Sequence, residues 1–139
     1  MGASFAPMSI EVVRQGERQL AVILRVGGGE PGTRFVTGPD APLQLGEINR
    51  PAGDTIPPHA HNLGVRTITE THEFLHVLSG TLKVDLYGDQ TAPLATRYLT
   101  AGDTILLTGG AHGFEFLTPC HLIEVKQGPY LGEHDKTYL

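Results

Sequence analysis

Tryptophan is absent from this chain, and cysteine, methionine and basic side chains are scarce. With only Cys120 available, an internal disulfide is excluded, and the fold must rest on a packed core rather than covalent staples. No pattern of nearby bases activates Cys120, so it reads as a small residue at the start of a strand, not a reactive thiol. Ten Lys and Arg stand against fifteen Asp and Glu, giving a formal charge of −5 and a pI near 5.7. The cations are scattered, which excludes the basic stripe that nucleic acid or an anionic membrane surface requires. The longest apolar runs, such as Leu20 to Leu24 and Ile105 to Leu107, are far too short to span a bilayer. No charged segment followed by a long apolar stretch opens the chain as a signal peptide would, so a soluble, cytoplasmic protein is expected. The glycine-rich run Gly27-Gly28-Gly29-Glu30-Pro31-Gly32 lacks the Lys-Ser or Lys-Thr and the following helix of a phosphate loop, and reads as a turn.

Glycine and proline, by contrast, are plentiful: 18 and 10 residues, spread rather than clustered. That distribution suits many short strands joined by tight turns. At 139 residues one domain is expected over 1–139, of a size that removes about two thirds of its unfolded surface from water. Extended segments are predicted near 9–14, 20–26, 33–37, 43–49, 58–61, 65–69, 73–78, 81–87, 95–99, 104–108, 112–117 and 121–127, with no long amphipathic helix. Gly88-Asp89-Gln90, Ala101-Gly102-Asp103 and Thr118-Pro119 are turns. The chain is therefore read as all-β.

The segment Gly53-Asp54-Thr55-Ile56-Pro57-Pro58-His59-Ala60-His61 carries the sharpest chemical signal. Two prolines fix φ and push the residue before each toward extended geometry. In an extended segment residues i and i+2 share a face, so His59 and His61 converge, as a transition metal needs. Downstream, Glu73-Phe74-Leu75-His76-Val77-Leu78 and Thr81-Leu82-Lys83-Val84-Asp85-Leu86-Tyr87 form a hairpin around Ser79-Gly80. Parity places Glu73 on the buried face with Leu75 and Val77, where a carboxylate must be paired or metal-bound. His112 follows a glycine turn and shares a face with the core aromatics Phe114 and Phe116, which makes these two the candidates for substrate contact. His76 falls out of phase and faces away. His121, in phase with Ile123 and Val125, is the candidate acid or base; His134 sits in a polar tail.

These residues resemble the two motifs of the cupin superfamily. Gly53, His59, His61, Glu73 and Gly80 follow the first motif in order, and Gly102, Thr108, Gly110 and His112 the second. Eleven residues, Asn62 to His72, separate His61 from Glu73 where the family spacing is shorter, leaving Glu70 and His72 as substitutes for Glu73. Thr108 stands where proline is usual. The resemblance implies a double-stranded β-helix, or jelly-roll barrel, over about 40–127, with flanking strands in 9–37 and a C-terminal arm at 128–139. Flanking strands of this kind often complete a neighbouring subunit's sheet, which implies a homodimer.

Three imidazoles and one carboxylate (His59, His61, His112 and Glu73) would hold one divalent transition metal ion: Mn, Fe, Ni or Co with two open positions, or Zn in a closed tetrahedral site. Open positions suit a bidentate oxygen ligand and Lewis-acid chemistry, with a nearby base moving a proton. The tail Ile123-Glu124-Val125-Lys126-Gln127-Gly128-Pro129-Tyr130-Leu131-Gly132-Glu133-His134-Asp135-Lys136 resembles the end of the cupin domain of bacterial type II phosphomannose isomerases, with departures at His134 and Lys136, which turns the expectation toward sugars. The expected function is an isomerase or epimerase of a small oxygenated metabolite. An iron-dependent dioxygenase and a non-catalytic metal- or small-molecule-binding sensor are the alternatives. Arg66 and Arg97 are candidates to hold an anionic substrate.

Overall fold

A computed structural model describes residues 9–27 and 29–139. The chain is all-β and every strand pairing is antiparallel. In order the strands are β1 (Ile10–Gln15), β2 (Arg18–Leu24), β3 (Gly32–Phe35), β4 (Gly46–Asn49), β5 (Glu73–Ser79), β6 (Thr81–Tyr87), β7 (Ala95–Thr100), β8 (Thr104–Leu107), β9 (Ala111–Phe116) and β10 (His121–Lys126), followed by one 3-10 turn at Gly132–His134. They divide between two compact units: 27–69 in one, and 9–26 with 70–139 in the other.

The larger unit holds a five-stranded sheet in the order β1-β2-β8-β5-β10 and a three-stranded sheet in the order β7-β6-β9. Strict alternation in β6 buries Leu82, Val84 and Leu86 and leaves Thr81, Lys83, Asp85 and Tyr87 on the wetter face. Those leucines and Val84 pack with Leu99 of β7 against Val13, Ala21, Ile23, Leu75, Val77, Ile105 and Leu107 of the larger sheet, making one core between two layers. Truncating a fully buried member such as Leu82 to alanine should cost about 3 kcal/mol. Leu20 to Leu24 are buried without a break, so the centre of the five-stranded sheet is covered on both faces, as a continuous apolar strand requires.

Within the larger unit the chain changes sheet at four tight connections: Gly80 between β5 and β6, 101–103 between β7 and β8, 108–110 between β8 and β9, and 117–120 between β9 and β10. Gly80 has φ 91, and a Cβ there would run into the Pro119 carbonyl and Cys120, so two of these connections abut at a position only glycine can fill. Asp103 fixes the β7–β8 connection. Buried at 5% exposure, its Oδ2 accepts the Thr100 N–H at 2.9 Å and Arg25 Nη1 at 3.2 Å, while Oδ1 accepts the Val26 N–H at 3.3 Å.

The smaller unit contains the β3–β4 hairpin, paired from Gly32↔Asn49 to Phe35↔Gly46. Gln44 closes its loop by donating from Nε2 to the carbonyls of Ala41 at 2.7 Å and Gly38 at 2.9 Å, and Arg34 pairs with Glu47 at 2.9 Å. The segments 58–61 and 65–69, predicted as strands, are not strands: none of the residues 50–72 lies in one. Pro57 and Pro58 have no amide to donate, and an extended backbone without a ladder partner is not a strand. The predicted 33–37 and 43–49 likewise shorten to the four-residue strands β3 and β4. No helix among the described residues is long and apolar enough to cross a membrane.

Candidate functional site

Glu73 opens β5 and, as its parity requires, shares the inner face with the buried Leu75 and Val77. Its cross-strand neighbours are Leu107 on β8 and Lys126 on β10. The side chain is only 13% exposed, a costly place for a carboxylate unless it is partnered. The partner comes from the other sheet: His112 Nε2 lies 3.0 Å from Glu73 Oε2. His112 stands opposite Leu86 in β9, on the face that carries Phe114 opposite Val84 and Phe116 opposite Leu82. Gly110 delivers it there. Its φ is 67, and a Cβ would collide with the Tyr87 carbonyl, so this turn admits only glycine. Two residues earlier the Thr108 N–H donates to the Leu20 carbonyl at 2.9 Å, a bond that the proline usual in the resembled motif could not make.

Glu124 joins the pair from β10. The hydrogen bond from His112 holds the Glu73 carboxyl down at about 2, with Glu124 and the Lys126 ammonium acting in the same direction against the effect of burial. Glu124, hydrogen-bonded to Glu73 and repelled by its charge, is pushed up. Two neighbouring carboxyls whose proton affinities are pushed apart beside an imidazole give a site able to hold a cation or pass a proton. Around them lies a cleft of about 730 Å³, lined by β9, the ends of β5 and β10, Arg18, Glu70, and Asp135 to Tyr138 of the C-terminal arm.

The structure brings together Glu73, His112, Phe114 and Phe116 as the sequence predicts, with ring centroids of His112 and Phe114 5.1 Å apart. His59 and His61 also meet each other, in the smaller unit. Their ring centroids are 5.4 Å apart, and His59 Nδ1 lies 2.9 Å from the Pro57 carbonyl, which leaves Nε2 free. Among the described residues no group of three or more His, Cys, Asp or Glu side chains stands at metal-holding distance. Of the substitutes for Glu73, Glu70 lines the cleft and pairs with Arg18 at 3.3 Å, whereas His72 is buried, with an unpartnered Nδ1 and a pKa lowered by burial.

His121 is a correction. It is exposed, opposite Ser79 at the strand end, and it does not line the cleft. Beyond the bulge at His121/Leu122, Ile123 pairs with His76 and Val125 with Phe74, so the apolar odd-numbered residues of β10 face outward. The inner set is Leu122, Glu124 and Lys126. Glu124 is therefore the residue sequence reasoning missed, and its parity with Lys126, the partner of Glu73, was the available signal. Arg97 is committed elsewhere, reaching Glu11 at 2.8 and 2.9 Å, and Arg66 is exposed on the strandless segment and outside the cleft lining. His76 faces away from the core as predicted, with Nδ1 2.9 Å from Thr104 Oγ1. Compared with family models, curated proteins and solved structures, the chain matches none.

Proposed function

We propose that this chain is a small metal-binding protein of the cupin type, built as a jelly roll, that acts as an isomerase or epimerase on a small oxygenated metabolite such as a sugar. The observation that carries the reading is the 3.0 Å approach of His112 to Glu73. Two residues from different strands and different sheets, each in its motif position, meet at the mouth of a cleft that a small molecule fits. Imidazole and carboxylate are ordinary donors to a divalent ion, and the strong preference of Glu73 for its ionised form suits that role. The motif, not the geometry, assigns His59 and His61 the remaining two places. Such an ion, when bound, polarises a carbonyl and acidifies the adjacent carbon.

The protein's own residues do the rest. Phe114 and Phe116 give the substrate an apolar wall, and Glu124 is the lining carboxyl beside Glu73 that can reach a substrate proton. The test is solvent exchange. Protein loaded with manganese is incubated in D2O, without oxygen, with a panel of aldoses, ketoses and hydroxyketones, and C–H exchange is followed by NMR. Exchange that His112→Ala abolishes supports the reading. Metal bound tightly with no exchange on any member would overturn the isomerase and leave a binding module; turnover that needs oxygen would point to an oxygenase.

A further inference from the structure

The C-terminal arm forms one side of the cleft without any β pairing. After β10 the chain passes through the 3-10 turn Gly132–His134 and runs Asp135 to Tyr138 along the cleft. One ion pair ties it down: Lys126 Nζ lies 3.3 Å from Asp135 Oδ2, with the side chains 24% and 11% exposed. Lys126 also sits 5.5 Å over the Tyr130 ring, and the Asp135 N–H donates to the Gly132 carbonyl at 3.1 Å. Lys126 is thus fixed from two sides and holds the arm from the same strand face that carries Glu124.

Beyond that tie the arm shows apolar surface to water. Tyr138 is 88% exposed although it lines the cleft, and Phe116, lining the same cleft, is 59% exposed. Aromatic faces of this size gain free energy when a flat apolar surface displaces their water. The acid cluster supplies polar chemistry at the same place, so the lining combines stacking faces with hydrogen-bonding groups, the usual composition of a small-molecule site.

We propose that the arm is the ligand-selecting wall of this cleft. Tyr138 covers a small molecule that presents a flat apolar ring face to Phe114 and Phe116, and the Lys126–Asp135 pair is the positioning clasp that keeps the arm in place. That the cleft is a ligand site rests on the function proposed above; the arm's part in it requires no metal.

The test uses the metal-stripped full chain and 8-anilinonaphthalene-1-sulfonate, a ring-bearing probe that reports its own binding by fluorescence. One saturable site is expected. Its affinity should fall at least fivefold in Tyr138→Ala and in Phe116→Ala, recover in Tyr138→Phe, and stay unchanged in Phe35→Ala, which removes an equally exposed aromatic from the β3–β4 hairpin. Amide hydrogen exchange at residues 130–138 should rise about tenfold in Asp135→Asn and slow when the probe binds. No saturable site, indifference to Tyr138→Ala, or an equal loss in Phe35→Ala would overturn the wall; unchanged exchange in Asp135→Asn would overturn the clasp. Because no metal takes part, failure here leaves the metal reading standing, and failure of metal retention leaves this one standing.

Discussion

Removing the Asp103 carboxylate should destabilise the protein by about 3 kcal/mol. Asp103 is buried at 5% exposure and its carboxylate accepts four hydrogen bonds: the Thr100 amide at 2.9 Å, Arg25 Nη1 at 3.2 Å, the Val26 amide at 3.3 Å and the Thr100 hydroxyl at 3.4 Å. Asp103→Ala takes the acceptor from two backbone donors and the Thr100 hydroxyl, and leaves Arg25 Nη1 only the Tyr98 carbonyl at 2.8 Å. A stranded buried donor costs roughly 1–3 kcal/mol, but Val26 is 64% exposed and Arg25 is 36% exposed at its side chain, so water recovers part of the loss. About 3 kcal/mol for the four together follows, a fall in Tm of roughly 10 °C for a chain of this length. Asp103→Asn keeps one acceptor oxygen and the side-chain volume, and should cost about half as much. With no tryptophan to report, urea unfolding is read by far-UV circular dichroism, and the m-value should stay constant. An alanine variant within 1 kcal/mol of wild type, or an asparagine variant less stable than alanine, would refute the claim that this carboxylate fixes the β7–β8 connection.

Gly110→Ala should cost at least about 2 kcal/mol, because it forces a side chain onto φ 67 and into the Tyr87 carbonyl, and it should displace His112; urea unfolding and the metal content of the purified variant check both. His72 gives a pH dependence. Burial lowers its folded pKa below the unfolded value of about 6.5, so as pH falls beneath that value the unfolded chain takes up the proton first and stability declines. His72→Leu, which removes the unpartnered Nδ1, should flatten the stability profile of metal-stripped protein between pH 7 and 5; an unchanged slope would contradict this. Arg97→Met should cost no more than about 1 kcal/mol in urea unfolding, since the Glu11 pair it breaks is about one third exposed on each side and screened by water.

Much of the fold was legible because the chain punctuates itself. The alternation in β6 and the glycine turns at Gly80, Gly102 and Gly110 are purely local signals, and the predicted strands there agree with the observed ones to within a residue or two. The errors have a different origin. A strand exists only with a partner, and nothing local in 58–69 tells whether one is present, so an extended stretch after two prolines looks like strand in the sequence and is none in the structure. His121 and Glu124 show the limit of parity. In β10 both faces carry apolar side chains, so hydrophobicity selected Ile123 and Val125 as the inner set, and a one-residue slip exchanges every side chain between faces. The bulge after His121 is invisible in the sequence. Glu73 and His112 lie on the faces that parity predicts, because each is adjacent to strictly alternating or glycine-bounded segments whose phase has a single solution.

The central claim, that Glu73 and His112 hold a divalent metal ion, is tested most directly by elemental analysis of protein purified without added metal. The account predicts about one equivalent of a single transition metal in wild type, most of it lost in Glu73→Gln, His112→Ala and His59→Ala, and retained in Glu70→Gln. Metal-free wild type that takes up none on titration with manganese or iron(II), or undiminished metal content in both Glu73→Gln and His112→Ala, would contradict it.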